Sequence, residues 1–372
     1  MFKQIKKKIK NIYKKIIIEI FLIIYQKPKL LKKNQKDKSQ NKFNIKIQGN
    51  GYSIYHFPKG VIYTDSNDTT AYISDNKYLS DASMQYCKFD NINSFNNKIT
   101  KNETLKYGTP KIKKKINGNV LSLLSGGASK DNFTHWLTDV IPRIKIYNEK
   151  FNLKKIDKFF VPSLKYNFQL ESLNLLGIKK NKIITSDKYK HIYAKNIYAT
   201  SHPCYHLPMK VKKWSLEFLQ KKYQVKILKD KYKKIFIERD QSYLLDKNDL
   251  EKSKNYRVLL NEFEIKKFLS SKGFKIIKPE KYSFLEQVKI FSSAHTVVGL
   301  YGAAMMMISF CKKNTKVLEI KPLLGGNEFK NISKILKLNH KQINLKPIFK
   351  SSTPQNGLLR CPIKKIKKEL YL

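Results

Sequence analysis

Residues 297–310, VVGLYGAAMMMISF, and residues 316–322, KVLEIKP, carry the sequence signal that decides the fold. VVGL is a short apolar run rich in β-branched residues, which predicts a buried strand, and VLEI predicts another. A glycine-containing turn between them leads into an apolar run that we predict to be a helix. A strand, a helix and a second strand in this order are typical of a parallel sheet with crossover helices.

The same alternation extends to both sides of this stretch. Nearby, it comprises strands at 234–239 and 275–279, a helix at 261–273, and a helix to residue 294 that a capping box of Ser283 and Glu286 opens. Further upstream, it comprises strands at 120–124, 159–161 and 182–185, a Ser125-Gly126-Gly127 turn and a helix over 131–150. Two such halves predict an α/β fold of two Rossmann-like domains that face a cleft.

We expect four regions along the chain. They are a basic amphipathic segment and linker at 1–41, an N-terminal domain at 42–215, a C-terminal domain at 216–350 and a basic tail at 351–372. Residues 42–118 contribute short strands to which no chemistry can be assigned.

Charge and cysteine usage narrow the function classes. Lysine and arginine number 76 against 28 acids, for a net charge of +48, which favours polyanionic partners. The lysines are spread along the chain and rise together with asparagine, isoleucine and tyrosine, so compositional drift accounts for most of the excess. A nucleic-acid binder would need a basic stripe with interleaved aromatics, and no nucleic-acid partner is expected. The four cysteines form no CxxC pair, which argues against zinc and disulfides and favours a reducing compartment.

The first 25 residues predict a basic amphipathic helix, because Ile5, Ile9, Ile12 and Ile16 recur on one helix face among lysines. Its apolar run of ten residues is too short to span a bilayer. We expect the helix to lie on a membrane surface, separated from the body by a linker up to residue 41. A solvated helix packed on the body is the alternative.

The motif NFTHWLTDVIPRI at 132–144 carries the candidate base. His135 and Asp139 are four residues apart on one helix face, where a carboxylate can orient an imidazole and raise its basicity. Such a pair can abstract a hydroxyl proton. A packed histidine and a solvated aspartate are the structural alternative.

Three further segments suggest an anion site. Arg239 lies at the carboxyl end of a predicted strand, and Arg257 precedes Asn261. Both arginines are candidate phosphate ligands, with a surface salt bridge as the alternative. Gly302 and Ala303 begin a helix whose backbone N–H groups can bind a diphosphate. Glu319, near the end of a strand, can accept hydrogen bonds from ribose hydroxyls. A structural carboxylate is the alternative.

In order along the chain, these motifs resemble glycosyltransferase family 61. The resemblance rests on N-x-x-H-W-L ending in PR at 132–143, Arg239 with R-x-x-x-N-E at 257–262, E-Q at 286–287, V-G-x-x-G-A at 298–303 and V-L-E-I-x-P at 317–322. The family usually has histidine where this chain has Tyr301, which can still hydrogen-bond a phosphate but carries no imidazole charge.

The resemblance implies a GT-B type fold and inverting transfer from a nucleotide sugar to a glycan acceptor, which can be lipid-linked. It implies no cofactor and no obligatory metal, and the sequence has no D-x-D pair for one. Its implied catalytic residues are His135 and Asp139, and Asn132, Trp136 and Arg143 are acceptor-side or structural. The implied donor-binding residues are Arg239, Arg257, Asn261, Tyr301, Gly302, Ala303 and Glu319. We expect a bacterial surface-polysaccharide enzyme, cytoplasmic and peripheral at the inner face of the membrane. A basic nucleic-acid-binding protein or a catalytically inactive scaffold is the alternative.

Overall fold

The computed structural model describes residues 2–30, 40–64, 69–89, 92–96, 102–124, 130–204, 210–226, 232–239 and 241–372, with backbone alone at residue 3, 85–89 and 92–96. The predicted Ser125-Gly126-Gly127 turn and most of the predicted linker lie outside the described residues. The chain is a mixed α/β protein, as the sequence predicts. It divides into two compact units, Met1–Met209 and Lys210–Leu372.

The N-terminal unit is built on a large mixed sheet. Its strands are β1 (Lys29–Leu30), β2 (Asn41–Ile47), β3 (Asn50–Tyr63), β4 (Thr69–Ser74), β5 (Lys77–Tyr78), β6 (Met84–Phe89), β7 (Ile92–Asn96), β8 (Lys114–Ser122), β9 (Lys158–Val161), β10 (Ile183–Thr185) and β11 (His191–Thr200). The order is β1-β5-β4-β3-β11-β8-β9-β10, and β2 pairs with β3. Strands β11, β8, β9 and β10 run parallel, whereas β3 is antiparallel to β11.

The Rossmann-like prediction for this unit therefore holds only for its parallel half. The other half is antiparallel because two-residue turns join its strands. Gln48 and Gly49 connect β2 to β3, and Asp75 and Asn76 connect β4 to β5, all four with positive φ. Positive φ at both turn residues is the signature of the type I′ hairpin.

The helices of the N-terminal unit surround this sheet. They are α1 (Phe2–Tyr25), α2 (Glu103–Tyr107), α3 (Phe133–His135), a π-helical turn (Trp136–Val140), α4 (Pro142–Asn148) and α5 (Asn167–Leu175), with 3₁₀ turns at Leu153–Lys155 and Lys180–Lys182. A buried apolar cluster along the strands of this sheet includes Phe57, Ile62, Val120, Phe160 and Ile197. Burial of such side chains stabilises the unit by roughly 1.5 to 3 kcal/mol each.

Helix α1 packs on this unit. Ile18 is only 9% exposed. Tyr25 lies edge-on to His191 with 5.1 Å between ring centroids, and its hydroxyl oxygen accepts a hydrogen bond from the Lys113 N–H at 3.1 Å. Within the described part of the chain, α1 included, no helix is both long and apolar enough to cross a membrane.

The C-terminal unit contains the parallel sheet that the sequence predicts. Its strands are β12 (Lys234–Ile237), β13 (Arg257–Leu259), β14 (Lys275–Ile277), β15 (Thr296–Leu300), β16 (Lys316–Pro322), β17 (Asn339–Leu345) and β18 (Gly357–Leu359). The main sheet has the order β14-β12-β15-β16-β17 with all neighbours parallel, and β13 pairs with β18. The strand order reverses direction between β12 and β15, which makes their carboxyl ends the expected ligand position.

The helices of this unit include two that the sequence analysis predicts, at 262–271 and 284–293. They are α6 (Lys213–Lys222), α7 (Glu262–Ser271), α8 (Phe284–Ser293), α9 (Glu328–Leu336) and α10 (Ile363–Leu370), with 3₁₀ segments at Ser242–Leu244, Leu250–Ser253, Pro279–Lys281 and Ala303–Phe310. The capping box of Ser283 and Glu286 at α8 is confirmed. The segment after Gly302 is a 3₁₀ helix instead of the predicted regular helix, with Met305, Met306 and Met307 fully buried in the core.

Candidate active site

The N-terminal unit brings His135 and Asp139 into direct contact. The His135 Nδ1 lies 2.7 Å from the Asp139 Oδ2. Asn132 caps the start of α3, its side-chain oxygen accepting from the backbone N–H of Thr134 at 2.9 Å and of His135 at 3.4 Å. The carboxylate therefore fixes the orientation of the imidazole, and the cap fixes the backbone that carries it.

Asp139 lies within a π-helical turn, Trp136–Val140, that begins directly after His135. The Ile141 N–H donates to the Trp136 carbonyl at 3.1 Å, which is the five-residue spacing of a π-helix. The Trp136 side chain is buried, and its Nε1 donates to the Ser172 hydroxyl at 2.9 Å. Trp136 thus belongs to the core behind the pair and has no surface to offer an acceptor.

Asp139 is a buried carboxylate with several polar partners. It is 2% exposed, and the Thr138 hydroxyl donates to its Oδ1 at 2.8 Å. The His202 Nε2 lies 3.7 Å from its Oδ2, within ion-pair distance. Burial alone raises the pKa of Asp139, but attraction to His202 and His135 and the hydrogen bond to His135 outweigh it and hold this pKa well below its usual range.

His202 is the site residue that sequence reasoning missed. It lies just beyond the carboxyl end of β11, a strand that the sequence analysis did not predict. Its Nδ1 accepts a hydrogen bond from the Cys204 N–H at 3.2 Å, which directs Nε2–H towards Asp139. The sequence signal for this residue was a histidine, His202, two positions after the run HIYAKNIYAT (His191–Thr200), which forms the strand.

Arg143 fastens this arrangement to the sheet. Its Nε donates to the Asp139 carbonyl at 3.0 Å and its Nη1 donates to the Thr200 carbonyl at 2.6 Å. The side chain is buried. Arg143 therefore holds the helix against the end of β11, and does not reach solvent.

Of His135 and Asp139, it is the imidazole of His135 that is accessible and can accept a proton. The His135 side chain is 24% exposed, whereas Asp139 is buried beneath it. An imidazole whose Nδ1 faces a carboxylate has its basic nitrogen at Nε2, and the carboxylate stabilises the protonated ring. This is the geometry of a general base.

In the C-terminal unit, two arginines converge on one backbone carbonyl. The Nη1 atoms of Arg239 and Arg257 donate to the Tyr301 carbonyl at 3.3 and 3.0 Å. Burial lowers the pKa of Arg239 to about 10, with repulsion from Arg257 as the second cause. Glu262 and Glu328 supply opposite charge near Arg239 and Arg257 respectively. Two guanidinium groups directed at one carbonyl are chemically suited to an anion.

Gly302 is required for this convergence. A Cβ at Gly302 would lie 2.1 Å from the Arg239 Nη1 and 3.3 Å from the Arg257 Nη1. Ala303 follows it as the first residue of the 3₁₀ segment. The absence of a side chain at 302 therefore lets both guanidinium groups approach the backbone.

Tyr301 connects the arginines to an acid. Its ring lies 4.7 Å from the Arg257 guanidinium carbon, and its hydroxyl donates to the Glu328 Oε2 at 3.0 Å. Burial and the nearby Glu328 charge raise the pKa of the Tyr301 hydroxyl, so it remains a protonated donor.

Asn261 and Glu319 direct their hydrogen bonds to other parts of the C-terminal unit. The Asn261 side chain exchanges hydrogen bonds with the Cys361 backbone at 2.9 and 3.0 Å. Glu319 is fully buried, and its Oε2 accepts from His340 and Gln342 at 3.1 and 2.8 Å. Its Oε1 has no hydrogen-bond partner among the described residues. Both side chains hold neighbouring backbone or strands together in this structure.

No three His, Cys, Asp or Glu side chains within the described ranges are grouped so as to hold a metal ion.

The mixed α/β fold, with its large parallel-rich sheet, fits an α/β glycosyltransferase. The family model described as Glycosyltransferase 61 matches residues 133–318, half of the chain, from the helix that carries His135 to strand β16. The chain therefore belongs to the glycosyltransferase 61 family. Membership implies a nucleotide-sugar donor and a glycan acceptor. No curated protein compared with the chain matches it at a significant level.

Asp139→Asn tests the buried carboxylate. The folded pKa of Asp139 lies below its unfolded value of about 4, so the charge stabilises the fold at neutral pH and this contribution disappears as pH falls through the folded value. We expect the variant to lose about 2 to 4 kcal/mol at pH 7 because two imidazoles lose their counter-charge. Calorimetric melting at pH 7 and at a pH below about 4 measures the difference in stability between the variant and the parent chain. This difference in stability should become smaller in acid.

Asp131→Asn is the matched control, since Asp131 is an exposed carboxylate 3.8 Å from Lys165 in the same unit. Its melting temperature should follow that of the parent chain at every pH. Equal stability of the Asp139→Asn variant and the parent chain at pH 7 would contradict the assignment.

Proposed function

We propose that this chain is an inverting, metal-independent glycosyltransferase of the GT-B class that moves a sugar from a nucleotide diphosphate to a hydroxyl of a glycan acceptor. We further propose a role in the synthesis of a bacterial capsule, lipopolysaccharide or other surface polysaccharide. The observation that carries the proposal is the convergence of Arg239 and Arg257 on the Tyr301 carbonyl, at the strand-order reversal of the C-terminal sheet.

The arginine pair suits the leaving diphosphate. Two guanidinium groups, each with several N–H donors, can bind the oxygens of a diphosphate bidentately. Arg239 and Arg257 are fixed before the ligand arrives, by Gln241 at 2.6 Å and by Asn356 at 3.1 Å respectively. Fixed cations stabilise the charge that develops as the diphosphate departs, which is the role a divalent metal has in other glycosyltransferases.

The His135–Asp139 pair suits the attacking hydroxyl. In the proposed step His135 removes the hydroxyl proton at Nε2 while that oxygen forms a bond to the anomeric carbon. The bond from this carbon to the diphosphate breaks on the opposite side, so the configuration inverts. Asp139 stays ionised and stabilises the imidazolium.

Two substitutions separate the roles. His135→Ala should lower turnover by about 10²-fold or more and leave nucleotide affinity unchanged, because the base contacts the acceptor. Arg239→Ala should weaken nucleotide diphosphate binding by roughly 1.5 to 3 kcal/mol through loss of a charge-assisted contact. Calorimetric titration with uridine diphosphate and a transfer assay measure both, in the presence of chelator.

Asn261→Ala is the control for a buried polar residue of the same unit, and it should lower stability without a specific effect on nucleotide affinity. Full activity of the His135→Ala variant would show that the base is misassigned. A strict need for Mn²⁺ or Mg²⁺ would contradict the proposed role of the arginines.

Gly302→Ala tests the close approach of the backbone. The added methyl group meets the Arg239 guanidinium, the end of a flexible side chain, so the arginine shifts while the fold persists. We expect nucleotide affinity to fall by about tenfold, the effect of one displaced charged contact. Gly273→Ala, where no atom lies within 4 Å, is the control, although its positive φ gives a small loss of stability. Equal affinity of the two variants would contradict the proposal.

We also propose that α1 lies on the inner face of the cytoplasmic membrane. An apolar stripe runs along the side of α1 that the body does not cover; its exposed members are Ile5, Ile9, Ile12, Ile16, Ile20 and Ile23. The helix carries seven lysines and a single acid, Glu19. An apolar face flanked by lysines binds the interface of anionic lipids.

The two faces of α1 can be tested independently. Ile9 and Ile16 are 60% and 52% exposed, so the double variant Ile9→Asp and Ile16→Asp should keep its melting temperature. It should lose vesicle binding by about tenfold or more, because burial of one isoleucine contributes roughly 1.5 to 3 kcal/mol. Ile18→Asp, on the docked face, should lower the melting temperature instead. Vesicle flotation and thermal unfolding of each variant decide between a membrane face and a solvated one.

A further inference from the structure

We propose that the N-terminal unit binds the phosphate headgroup of an anionic membrane lipid in a cavity between α1 and the body. The inference rests on the proposed membrane contact of α1 and goes beyond it, because it assigns a defined site on residues outside the helix.

The cavity has a volume of 540 Å³ and two chemically different walls. The helix contributes Tyr13, Ile17 and Phe21. The body contributes Pro110, Lys111, Ile112 and Lys114 ahead of or within β8, and Lys188, Tyr189 and Lys190 ahead of β11. A cavity of this size is large enough for a small polar headgroup.

The wall formed by the body is strongly basic. Four of its residues are lysines: Lys111, Lys114, Lys188 and Lys190. None of the described residues that line the cavity is acidic. Four positive charges close together make the local electrostatic potential more positive, which favours a bound anion.

The wall formed by α1 joins the apolar stripe. Tyr13, Ile17 and Phe21 are spaced by four residues and form one row along the helix, next to the row of Ile9, Ile16 and Ile20. Ile112 of the body is 82% exposed beside this row. A ligand whose head lies among the lysines therefore has apolar surface next to its tail.

This combination selects one class of ligand. Free phosphate would use the lysines alone, and a nucleic acid would bring its charge against exposed isoleucines. A lipid phosphate satisfies both walls, and its acyl chains enter the same bilayer as the stripe. The lysines should thus add specificity for anionic lipid to the apolar contact of α1.

The test compares two pairs of lysines in the full chain. The cavity pair is Lys111→Gln with Lys188→Gln, and the control pair is Lys46→Gln with Lys150→Gln. Lys188 precedes the amino end of β11, whereas Lys46 shares a groove with Ser201 beyond its carboxyl end. Lys150 lies over the ring of Phe43, a β2 residue that pairs through Ile54 of β3 with Thr200 at that same end. Ten strand residues span about 33 Å, well beyond the screening length in physiological salt.

Flotation with vesicles of phosphatidylcholine and of phosphatidylcholine mixed with phosphatidylglycerol gives the readout. The parent chain should prefer the mixed vesicles, and the cavity pair should weaken that preference by about 25-fold, at about fivefold per lysine near the surface. The control pair should change it little. Equal losses in both pairs would overturn the site, as would equal binding of the parent chain to both vesicle types.

A second measurement distinguishes lipid from free phosphate. Short-chain dihexanoyl phosphatidylglycerol, below its micelle concentration, should raise the melting temperature of the parent chain and not that of the cavity pair. Inorganic phosphate that produces the same rise would overturn the lipid assignment. Uridine diphosphate binding, measured on the same variants, should be unchanged, so that failure of this inference and failure of the proposed transferase function give different results.

Discussion

The N-terminal unit depends on one buried charge, the carboxylate of Asp139. An ionised group with 2% exposure is costly unless its oxygens are paired, and the unit pairs them with Thr138, His135 and His202. Arg143 then binds the backbone carbonyl of the same residue and the end of β11. The position of His135 is thus a consequence of how this carboxylate is buried.

The C-terminal unit concentrates the opposite charge by a different route. Parallel strands β12 and β15 are neighbours although α7, β14 and α8 separate them in the chain, so Arg239 and Tyr301 meet at one edge. Arg257 reaches the same carbonyl from β13, a strand of the smaller sheet. The two units therefore hold different ionisable groups: a histidine held by a carboxylate in one, and two arginines directed at one carbonyl in the other.

The lysines matter through their local grouping as well as through their total number. Most lysines are surface residues distributed along the chain, in keeping with compositional drift. Around α1, however, the lysines adjoin an unbroken row of exposed isoleucines, and Lys111, Lys114 and Lys188 line one cavity with Ile17 and Phe21. Neighbouring apolar and cationic surface is what an anionic lipid interface favours, and a count of charges alone does not reveal it.

The sequence by itself determined most of the alternation of strands and helices from 120 to 322, although not strands β11 and β13. It also determined the His135–Asp139 contact and the grouping of arginines near Gly302, because helix spacing, apolar runs and glycine turns act locally. Only the tertiary structure brought His202 to Asp139 and packed α1 on the body. It decided which groups the buried side chains of Arg143, Asn261 and Trp136 contact. It also set Glu319 in the interior and Glu328 beside Tyr301. These outcomes depend on which strands become neighbours and which surfaces are buried, and such long-range pairings leave no periodic trace in the chain.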